Sequence, residues 1–571
     1  MAQIRLKRMR KPVRLLNMSV VDSRGFYRLF EIIPGALTWT VLIGSVVLSA
    51  FLPMWAAYFI IAFDLMWLLK SFRMSTSLVR GYNRLHRARK IDWQARVEQL
   101  ADIDASLVKA QESYRRSRKP NVIHHLLPTR RSRDLINSYR AKRQNVLDLQ
   151  RFTTQAATLL KPRDIYHATI LAVYNESIET LRPSIEALLE SNYDAKNIIL
   201  VIAYEARGGE QTAENVSLLE KQYAKRFGGF LAVCHPANIP GEVGGKGGNI
   251  TFAGRRLLEY VDERQISRQH VVVTTLDSDN RASSEYFNYL TYLYATEPNR
   301  KQKSFQPIPM FFNNIWDVPA PVRIIATGNS FWLIIETVRP HRLRNFASHA
   351  QGLETLVDTD FWSTKTIVED GHQFWRTYFT YNGDHQVVPV FSPIYQDAVL
   401  SQTYWRTFKN QYIQLRRWAW GVSDFPFVVK NLTKNNQISF SEKFVQIFRL
   451  LESHFTWATA PLILTFAAWL PLFINPNFKN MVLVHQLPIV ASRLMTFATL
   501  GIFVTIWISM ISLPPRPARV KRHRSIFMLL QWILMPVTAI IFGSFAAIDA
   551  QTRLMFGKYL EFRVTEKAVK K

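Results

Sequence analysis

Three groups of residues in this sequence combine acidic, basic and aromatic side chains suited to one chemical site: Asp277-Ser278-Asp279, Glu369-Asp370 and Gln414-x-x-Arg417-Trp418. An Asp-x-Asp directly after an apolar run can hold a hard divalent cation, which in turn holds a diphosphate. A later carboxylate can act as a general base, and an arginine next to a tryptophan can bind a phosphate and a ring. The types and order of these residues therefore predict group transfer from a diphosphate.

Short apolar runs predict the strands that position these residues. They are Ala168 to Val173, Ile198 to Ala203 and Val271 to Leu276, and a helical pattern over 177 to 190 separates the first two. Strands that alternate with helices indicate a mostly parallel sheet with its site along the carboxyl edge. We therefore predict an α/β domain over residues 165 to 435.

Two of the chemical groups are predicted to lie on helices. Within residues 411 to 420, Gln414, Arg417 and Trp418 stand at i, i+3 and i+4 and so share one helix face. The same stretch is also typical of a basic amphipathic helix at a membrane surface. Glu369 and Asp370 have a second interpretation as acids that favour a helix N-terminus.

A glycine-rich segment, Gly241 to Gly248, contains Lys246 and is followed by Asn249. It is not a P-loop, because Pro240 stands where that pattern requires glycine and Gly247 stands where it requires Ser or Thr. Its flexible backbone could approach a ligand closely, and Lys246 could offset phosphate charge. A plain turn is the alternative.

Composition places this domain in a membrane protein. The 571 residues carry a formal net charge of +29, and the mean hydropathy is −0.04. Apolar segments long enough to cross a bilayer lie at 36 to 70, 455 to 475, 488 to 513 and 525 to 548. The basic clusters adjoin these segments, which favours membrane orientation over nucleic-acid binding. The single cysteine, Cys234, excludes an intramolecular disulfide and suits a cytosolic domain.

The sequence predicts seven parts along the chain. They are a basic cytosolic N-terminus (1 to 35), a transmembrane hairpin broken near Leu52-Pro53 (36 to 70), a charged helical connector (71 to 164), the α/β domain (165 to 435), an interfacial amphipathic helix (436 to 454), transmembrane segments (455 to 548) and a basic tail (549 to 571). Charge places residues 476 to 487 outside and residues 514 to 524 inside. A fifth crossing would put the basic tail outside, unless one segment is re-entrant or interfacial, with Pro536 as a break.

The ordered motifs resemble those of the processive family 2 membrane glycosyltransferases, the group of cellulose and hyaluronan synthases. The resemblance covers roughly residues 165 to 425 and implies a GT-A domain, a nucleotide-sugar-binding α/β fold, flanked by membrane helices. It implies donor and nucleotide contacts from the following residues: Tyr174, Asn175, Glu176, Glu205, Lys246, Asn249 and Asp277. Glu205 stands where relatives carry Asp, which leaves the nucleotide open.

The resemblance also implies the remaining roles. Asp277 and Asp279 would bind Mg2+ or Mn2+, Asp370 would be the general base with Glu369 beside it, and acceptor or diphosphate contacts would come from the following residues: Gln306, Gln414, Arg417 and Trp418. We expect an inverting enzyme of the plasma membrane that transfers sugar, UDP-linked, to a growing polysaccharide. The alternatives are single addition to a lipid acceptor and a non-enzymatic membrane scaffold; no nucleic-acid partner is expected.

Overall fold

The computed structural model describes residues 24–121, 124, 129–475, 482–521 and 524–562. Most of the basic N-terminus, part of the predicted outer loop at 476 to 487, and the end of the basic tail lie outside these residues. Within them the chain forms an α/β domain joined to long apolar helices.

Eight strands of the described residues form one sheet in the order β3-β2-β1-β4-β7-β6-β8-β5. They are β1 (Tyr166–Val173), β2 (Ile198–Glu205), β3 (Gly229–His235), β4 (Val271–Asp277), β5 (Arg281–Ala282), β6 (Lys303–Met310), β7 (Ala350–Gly352) and β8 (Gln386–Tyr395). The three predicted strands are confirmed as parts of β1, β2 and β4. Strand β1 lies between β2 and β4 and pairs in parallel with both, and β2 with β3 and β6 with β8 are also parallel pairs.

The sheet is mixed, with four parallel and three antiparallel strand pairs, so the prediction of a mostly parallel sheet is confirmed only in part. Strand β7 runs antiparallel to both β4 and β6, and β5 runs antiparallel to β8. Strands β5 and β7 are only two and three residues long. Such short strands are held by their neighbours in the fold and leave no hydrophobic alternation in the sequence.

Helices cover both faces of the parallel half. The helices of the connector and of the α/β domain are α3 (Trp93–Glu98), α4 (Ile103–Arg115), α5 (Arg130–Thr154), α6 (Ile178–Leu189), α7 (Glu210–Tyr223), α8 (Lys246–Glu263), α9 (Tyr286–Thr296), α10 (Ala320–Thr337), α11 (Leu353–Asp358), α12 (Glu369–Thr380), α13 (Tyr404–Ala419) and α14 (Asp424–Lys434). On β1, Leu171 packs with Leu181 of α6, while Ile170 packs with Leu257 of α8 on the other face. Alternate residues of one strand thus enter two cores, as the strand period requires.

Five helical segments of the described residues are long and apolar enough to cross a membrane: Arg24–Phe51, Pro53–Ala88, Phe440–Ile474, Gln486–Ser512 and Arg524–Met555. We name their helices α1 (Arg24–Phe51), α2 (Pro53–Ala88), α15 (Phe440–Phe466), α16 (Leu470–Ile474), α17 (Val482–Ser512), α18 (Arg524–Leu530), α19 (Met535–Thr538) and α20 (Phe545–Met555). The first two helices separate at Leu52, because Pro53 cannot donate a backbone hydrogen bond to continue α1.

Helix bounds differ from the predicted parts at two places. The first helix begins at Arg24, before residue 36, and α2 continues to Ala88 through residues assigned to the charged connector. The predicted interfacial helix at 436 to 454 is not separate, since α15 runs unbroken from Phe440 to Phe466. Helical hydrogen bonds continue through a change in polarity, so a composition boundary did not mark a helix end.

The last apolar segment lies along the α/β domain at both of its ends. Near its start, the Arg323 guanidinium of α10 donates a 2.9 Å hydrogen bond to Gln531 Oε1. Near its end, Arg416 of α13 pairs with Asp549 at 2.8 Å. Pro536 stands at the beginning of α19, where the regular helix is interrupted. These contacts hold both ends of the segment against the α/β domain.

Candidate functional site

The carboxyl ends of β1, β2 and β4 form the edge at which most predicted site residues meet. Strand β1 is central, with Val173 opposite Tyr204 of β2 and Ala172 opposite Asp277 of β4. Parallel strands end at the same edge, so the loop after β1, Glu205 and Asp277 become neighbours. We call this region the sheet edge.

Lys246 brings a buried positive charge to the sheet edge. It begins α8, and its Nζ donates a 2.6 Å hydrogen bond to Asp277 Oδ1. Burial lowers the pKa of the Lys246 ammonium, but the carboxylates of Asp277 and Glu369 outweigh it and the net pKa is raised. Lys246 is therefore charged and placed to attract a phosphate.

Glu369 and Asp370 lie in the first turn of α12, close enough to Lys246 to share its field. Burial raises the pKa of Glu369 to about 7, with the Asp370 charge adding to the effect and Lys246 and Arg417 opposing it. Burial also raises the pKa of Asp370, against Lys246 and the 2.7 Å hydrogen bond from the Gly371 N–H. Glu369 is buried and Asp370 is half-buried. A carboxyl pair in which both pKa values are raised is suited to accepting a proton near neutral pH.

Glu369 and Asp370 stand at a helix N-terminus, and this position is compatible with their predicted role as a general base and its neighbour. Helix α12 begins at Glu369, and its N-cap residue is Val368. The Thr366 hydroxyl accepts a 3.3 Å hydrogen bond from the Val368 N–H, so it supports the turn before the helix. Thr364 gives no side-chain cap to this helix. The helix N-terminus therefore fixes both acids at the sheet edge without a polar cap.

The two aspartates of the Asp-x-Asp have different environments. Asp277 is about one third exposed, at 35% of its side chain. Asp279 is buried, and its Oδ2 accepts a 2.7 Å hydrogen bond from the Asp397 N–H. Among the described residues no group of three or more His, Cys, Asp or Glu side chains could hold a metal ion. A cation here would bind the two aspartates only together with oxygens from a diphosphate, which is how Mg2+ is commonly held.

The Gln-Arg-Trp group lies on α13, as predicted, and its three residues have different surroundings. Gln414 Oε1 accepts a 3.1 Å hydrogen bond from Gln411. The Trp418 ring lies 5.7 Å from that of Phe311, next to β6. The Arg417 Nε is buried and has no hydrogen-bond partner among the described residues. Arg417 thus retains an unused donor while its charge acts on Glu369 and Asp370.

The loop after β1 contains three of the predicted donor residues. Glu176 Oε2 accepts a 2.7 Å hydrogen bond from the Tyr174 N–H, so this carboxylate folds the loop. Asn175 between them is exposed. Glu205 is buried and forms an ion pair with Arg207, whose guanidinium lies 5.7 Å from the centre of the Tyr174 ring. Arg207 connects the ends of β1 and β2 and was not predicted, because a single arginine in a polar loop forms no pattern.

Two predicted ligand residues instead hold the fold together. Gln306 is fully buried, and its Oε1 accepts a 2.8 Å hydrogen bond from the Phe346 N–H, so its amide does not face an acceptor. The Asn249 amide donates to the carbonyl of Ala203 at 2.8 Å and of Val173 at 3.3 Å. It therefore joins the ends of β1 and β2 and positions ligand-binding loops indirectly.

A residue from the far end of the chain completes the region. The Phe562 ring lies 5.1 Å from the Arg417 guanidinium. A Cβ on Gly245 would be 3.4 Å from Phe562, so the ring also borders the start of α8. This contact joins segments that are hundreds of residues apart, and only the aromatic residue within a basic tail could have indicated it.

The sequence matches no protein-family model and no curated protein. Among solved structures, it is similar to the mannosyltransferase PcManGT from Pyrobaculum calidifontis in complex with GDP-Man and Mn2+, at 13% identity and a TM-score of 0.37, covering 72% of this chain and 95% of that chain. It is also similar to S. aureus TarS 1-349 in complex with UDP-GlcNAc, at 11% identity and a TM-score of 0.32, covering 70% and 94%. Identities and TM-scores this low carry no argument about function, so the proposed function is argued from the residues of the site.

Proposed function

We propose that this protein is an inverting membrane glycosyltransferase that takes sugar from a nucleotide-diphospho donor, UDP-linked, and adds it to a growing polysaccharide. The observation that carries the proposal is the meeting of Lys246 and Arg417 with the Glu369–Asp370 pair beside Asp277. Two cations suit a diphosphate leaving group, and a buried carboxyl suits removal of a proton from a sugar hydroxyl.

In the proposed reaction, Asp370 takes the proton of an acceptor hydroxyl while that oxygen forms a bond to the anomeric carbon of the donor. The bond from this carbon to the diphosphate breaks on the opposite side, so the configuration inverts. Lys246 and Arg417 offset the charge of the departing diphosphate. Mg2+ or Mn2+ bound by Asp277 and Asp279 would supply further electrostatic stabilisation of that diphosphate. Trp418 would stack under the acceptor ring.

The proposed location is the plasma membrane, with the α/β domain in the cytosol. Helices α1, α2, α15 and α17 would cross the bilayer, while the segment 524–555 would lie at its cytosolic surface. The contacts of that segment with Arg323 and Arg416 support this arrangement. It keeps the basic tail on the cytosolic side, which agrees with the distribution of lysine and arginine.

Single addition to a lipid acceptor is the second candidate. The small number of membrane-crossing helices favours it, because a long polysaccharide would need a path through the bundle. Size analysis of radiolabelled product at low donor conversion separates the two. Long product early in the reaction supports polysaccharide synthesis, and Trp418→Ala should then lose elongation more severely than donor hydrolysis. One short product at every time point supports single addition.

The activity itself is tested with the purified full chain and a panel of nucleotide sugars, with nucleotide release measured for each. We expect one donor to be consumed in a reaction that requires Mg2+ or Mn2+. Asp277→Ala and Asp279→Ala should each abolish transfer. Turnover by either variant in chelator would contradict the metal assignment, and no release from any donor by the parent would favour the scaffold.

A further inference from the structure

A cavity of about 530 Å³ lies away from the sheet edge, where α2 meets the end of α10 and the start of α15. Its volume is within the range of roughly 300–1,000 Å³ that small-molecule sites occupy. None of the proposed catalytic residues lines it. We call it the arginine cavity, because arginines from three separate segments line it.

One face of α2 supplies the largest part of the lining. Arg73, Ser77, Arg80, Arg84 and Arg87 follow each other at steps of four, three, four and three residues. This spacing places all five on one side of a helix. Arg73, Arg80, Arg84 and Arg87 are exposed, so their charges face the open space rather than the core.

Arginines from elsewhere in the fold converge on this face. Arg339 and Arg342 follow α10 of the α/β domain, and Arg449 lies on α15. The Arg449 guanidinium donates a 3.1 Å hydrogen bond to the His341 carbonyl, and Arg339 donates one of 3.2 Å to the Ser77 hydroxyl. A charge bias that only orients membrane helices would not require arginines of the α/β domain to join it.

The described residues supply few carboxylates to balance these charges. Glu336 pairs with Arg339 at 3.5 Å, and Glu452 is shared between Arg342 at 3.5 Å and Lys70 at 2.7 Å. Seven arginines line the cavity, so these two acids leave a large excess of positive charge. Like charges in one cavity repel each other, and an anion would relieve that repulsion.

The surroundings of the cavity indicate where such an anion comes from. Leu69 and Phe72 precede Arg73 on α2, and Phe444 and Phe448 precede Arg449 on α15. All four are exposed, with Phe72 at 73% and Phe444 at 60%. Both helices are long and apolar enough to cross a membrane. Exposed apolar side chains next to clustered arginines are typical of the bilayer interface, where arginine attracts anionic headgroups.

We infer that the arginine cavity binds a phosphate-bearing anion, and that this anion is the headgroup of an anionic phospholipid whose chains lie against the exposed apolar side chains of α2 and α15. Arginine forks match phosphate oxygens, and several of them can hold one headgroup at once. The pKa of His341 agrees with this field: burial lowers it, and the neighbouring Arg449, Arg342, Arg339 and Arg73 lower it further.

The test uses the full chain in nanodiscs of phosphatidylcholine that contain a minor fraction of phosphatidylglycerol. After transfer to detergent, native mass spectrometry counts the lipids that remain bound. A second arm titrates inorganic pyrophosphate into the protein in phosphatidylcholine alone. The variant Arg73→Gln/Arg80→Gln removes two exposed cavity charges without opening the core. Its control, Arg115→Gln/Arg133→Gln, removes the same charge from exposed positions on α4 and α5.

We expect the parent and the control to retain phosphatidylglycerol in preference to phosphatidylcholine. The cavity variant should bind it about 30-fold more weakly, since each arginine near an anionic lipid contributes several-fold in affinity. Pyrophosphate binding that is weakened in the cavity variant but not in the control, without preference for phosphatidylglycerol, would overturn the lipid assignment while identifying a soluble phosphate as the source. Pyrophosphate that binds all three proteins equally is assigned to the sheet edge. Equal retention of both lipids by the parent with no cavity-dependent pyrophosphate binding, or equal affinity in the cavity variant and the parent, would overturn the site.

Discussion

The sheet edge and the arginine cavity both gather charged side chains, but they balance that charge differently. At the sheet edge, Lys246 lies 2.6 Å from Asp277 and within the field of Glu369 and Asp370. Seven arginines line the cavity, and glutamates pair with two of them, Arg339 and Arg342. The sheet edge is nearly neutral before any ligand binds, so a ligand there must replace contacts that its charged side chains already make with each other. The arginine cavity keeps an excess of one sign, which an incoming anion neutralises directly.

The largest effect expected is from Asp370→Asn, which keeps the shape of the sheet edge but removes its base. Transfer should fall by roughly 10²- to 10⁴-fold, because general-base catalysis contributes that much. Donor binding, measured by displacement of a fluorescent nucleotide, should persist. A rate within a few-fold of the parent would assign the base elsewhere, first to Glu369.

Replacing Lys246 tests the internal balance of the sheet edge. Lys246→Met preserves volume but removes the charge that stabilises Asp277, and the folded state should lose roughly 2–3 kcal/mol. That value is below the usual cost for a fully buried pair because Asp277 is partly exposed. Thermal unfolding in detergent measures it. Lys246→Arg should retain most of the stability, and equal loss in both variants would indicate packing rather than charge.

The wall of the arginine cavity depends on close packing of α2 against α10. A Cβ on Gly81 would be 2.6 Å from the Ile334 carbonyl oxygen, so Gly81→Ala should destabilise the protein by roughly 1–3 kcal/mol. Gly44→Ala in α1 is the matched control, since nothing lies within 4 Å of its added Cβ. Thermal unfolding of both variants checks this, and similar values for the two would mean that α2 can shift without cost.

The smallest effect concerns pH. Because the pKa of Glu369 is raised to about 7, the carboxyl pair holds a proton below that pH and loses it above. The kcat/KM of the parent should therefore rise with pH through about 7. Glu369→Gln should move this rise to lower pH, since it removes repulsion between adjacent carboxylates. An unchanged profile would mean that another group controls the ionisation.

Loss of the proton from the Glu369–Asp370 pair favours activity but destabilises the folded state. The folded chain binds it more tightly than the unfolded chain, because the pKa of Glu369 is raised above its ordinary value of 4.5. Protonation of Glu369 makes its full contribution to the free energy of unfolding below pH 4.5, and this contribution is lost as the pH rises through about 7. The parent should thus gain activity over the range in which this group ceases to stabilise it.

Local patterns predicted the parts of the fold that depend on local interactions. The buried strands β1, β2 and β4 and the helix that carries Arg417 follow from runs and spacing in the sequence. Strands β5 and β7 could not be predicted, because their few residues pair only in the finished sheet. The hydropathy of 525 to 548 predicts a segment long enough to cross a membrane, and the structure has such a helical segment at Arg524–Met555. Its polar contacts with Arg323 and Arg416 could not be predicted, because they come from distant parts of the chain.

At the site, residue type alone was a weaker guide than position. The geometry brings Lys246 and Asp277 into contact and places Glu369 and Asp370 close enough to Lys246 to shift their pKa values. Gln306 and Asn249 have the polarity of ligand residues, yet their amides bond backbone groups of the fold. An amide serves either purpose equally well, so only the surrounding backbone decides between them.

Contacts between the first and last helices have a consequence for the order in which the chain assembles during synthesis. Arg28 of α1 donates a 2.8 Å hydrogen bond to the Leu554 carbonyl, and Thr38 donates one of 2.6 Å to Gln551. A ribosome that makes the chain from its N-terminus delivers α1 long before its partner α20. The buried polar groups of α1 must wait until residue 551 has been made, so a nascent chain that stalls before that residue would present them to chaperones and quality-control proteases.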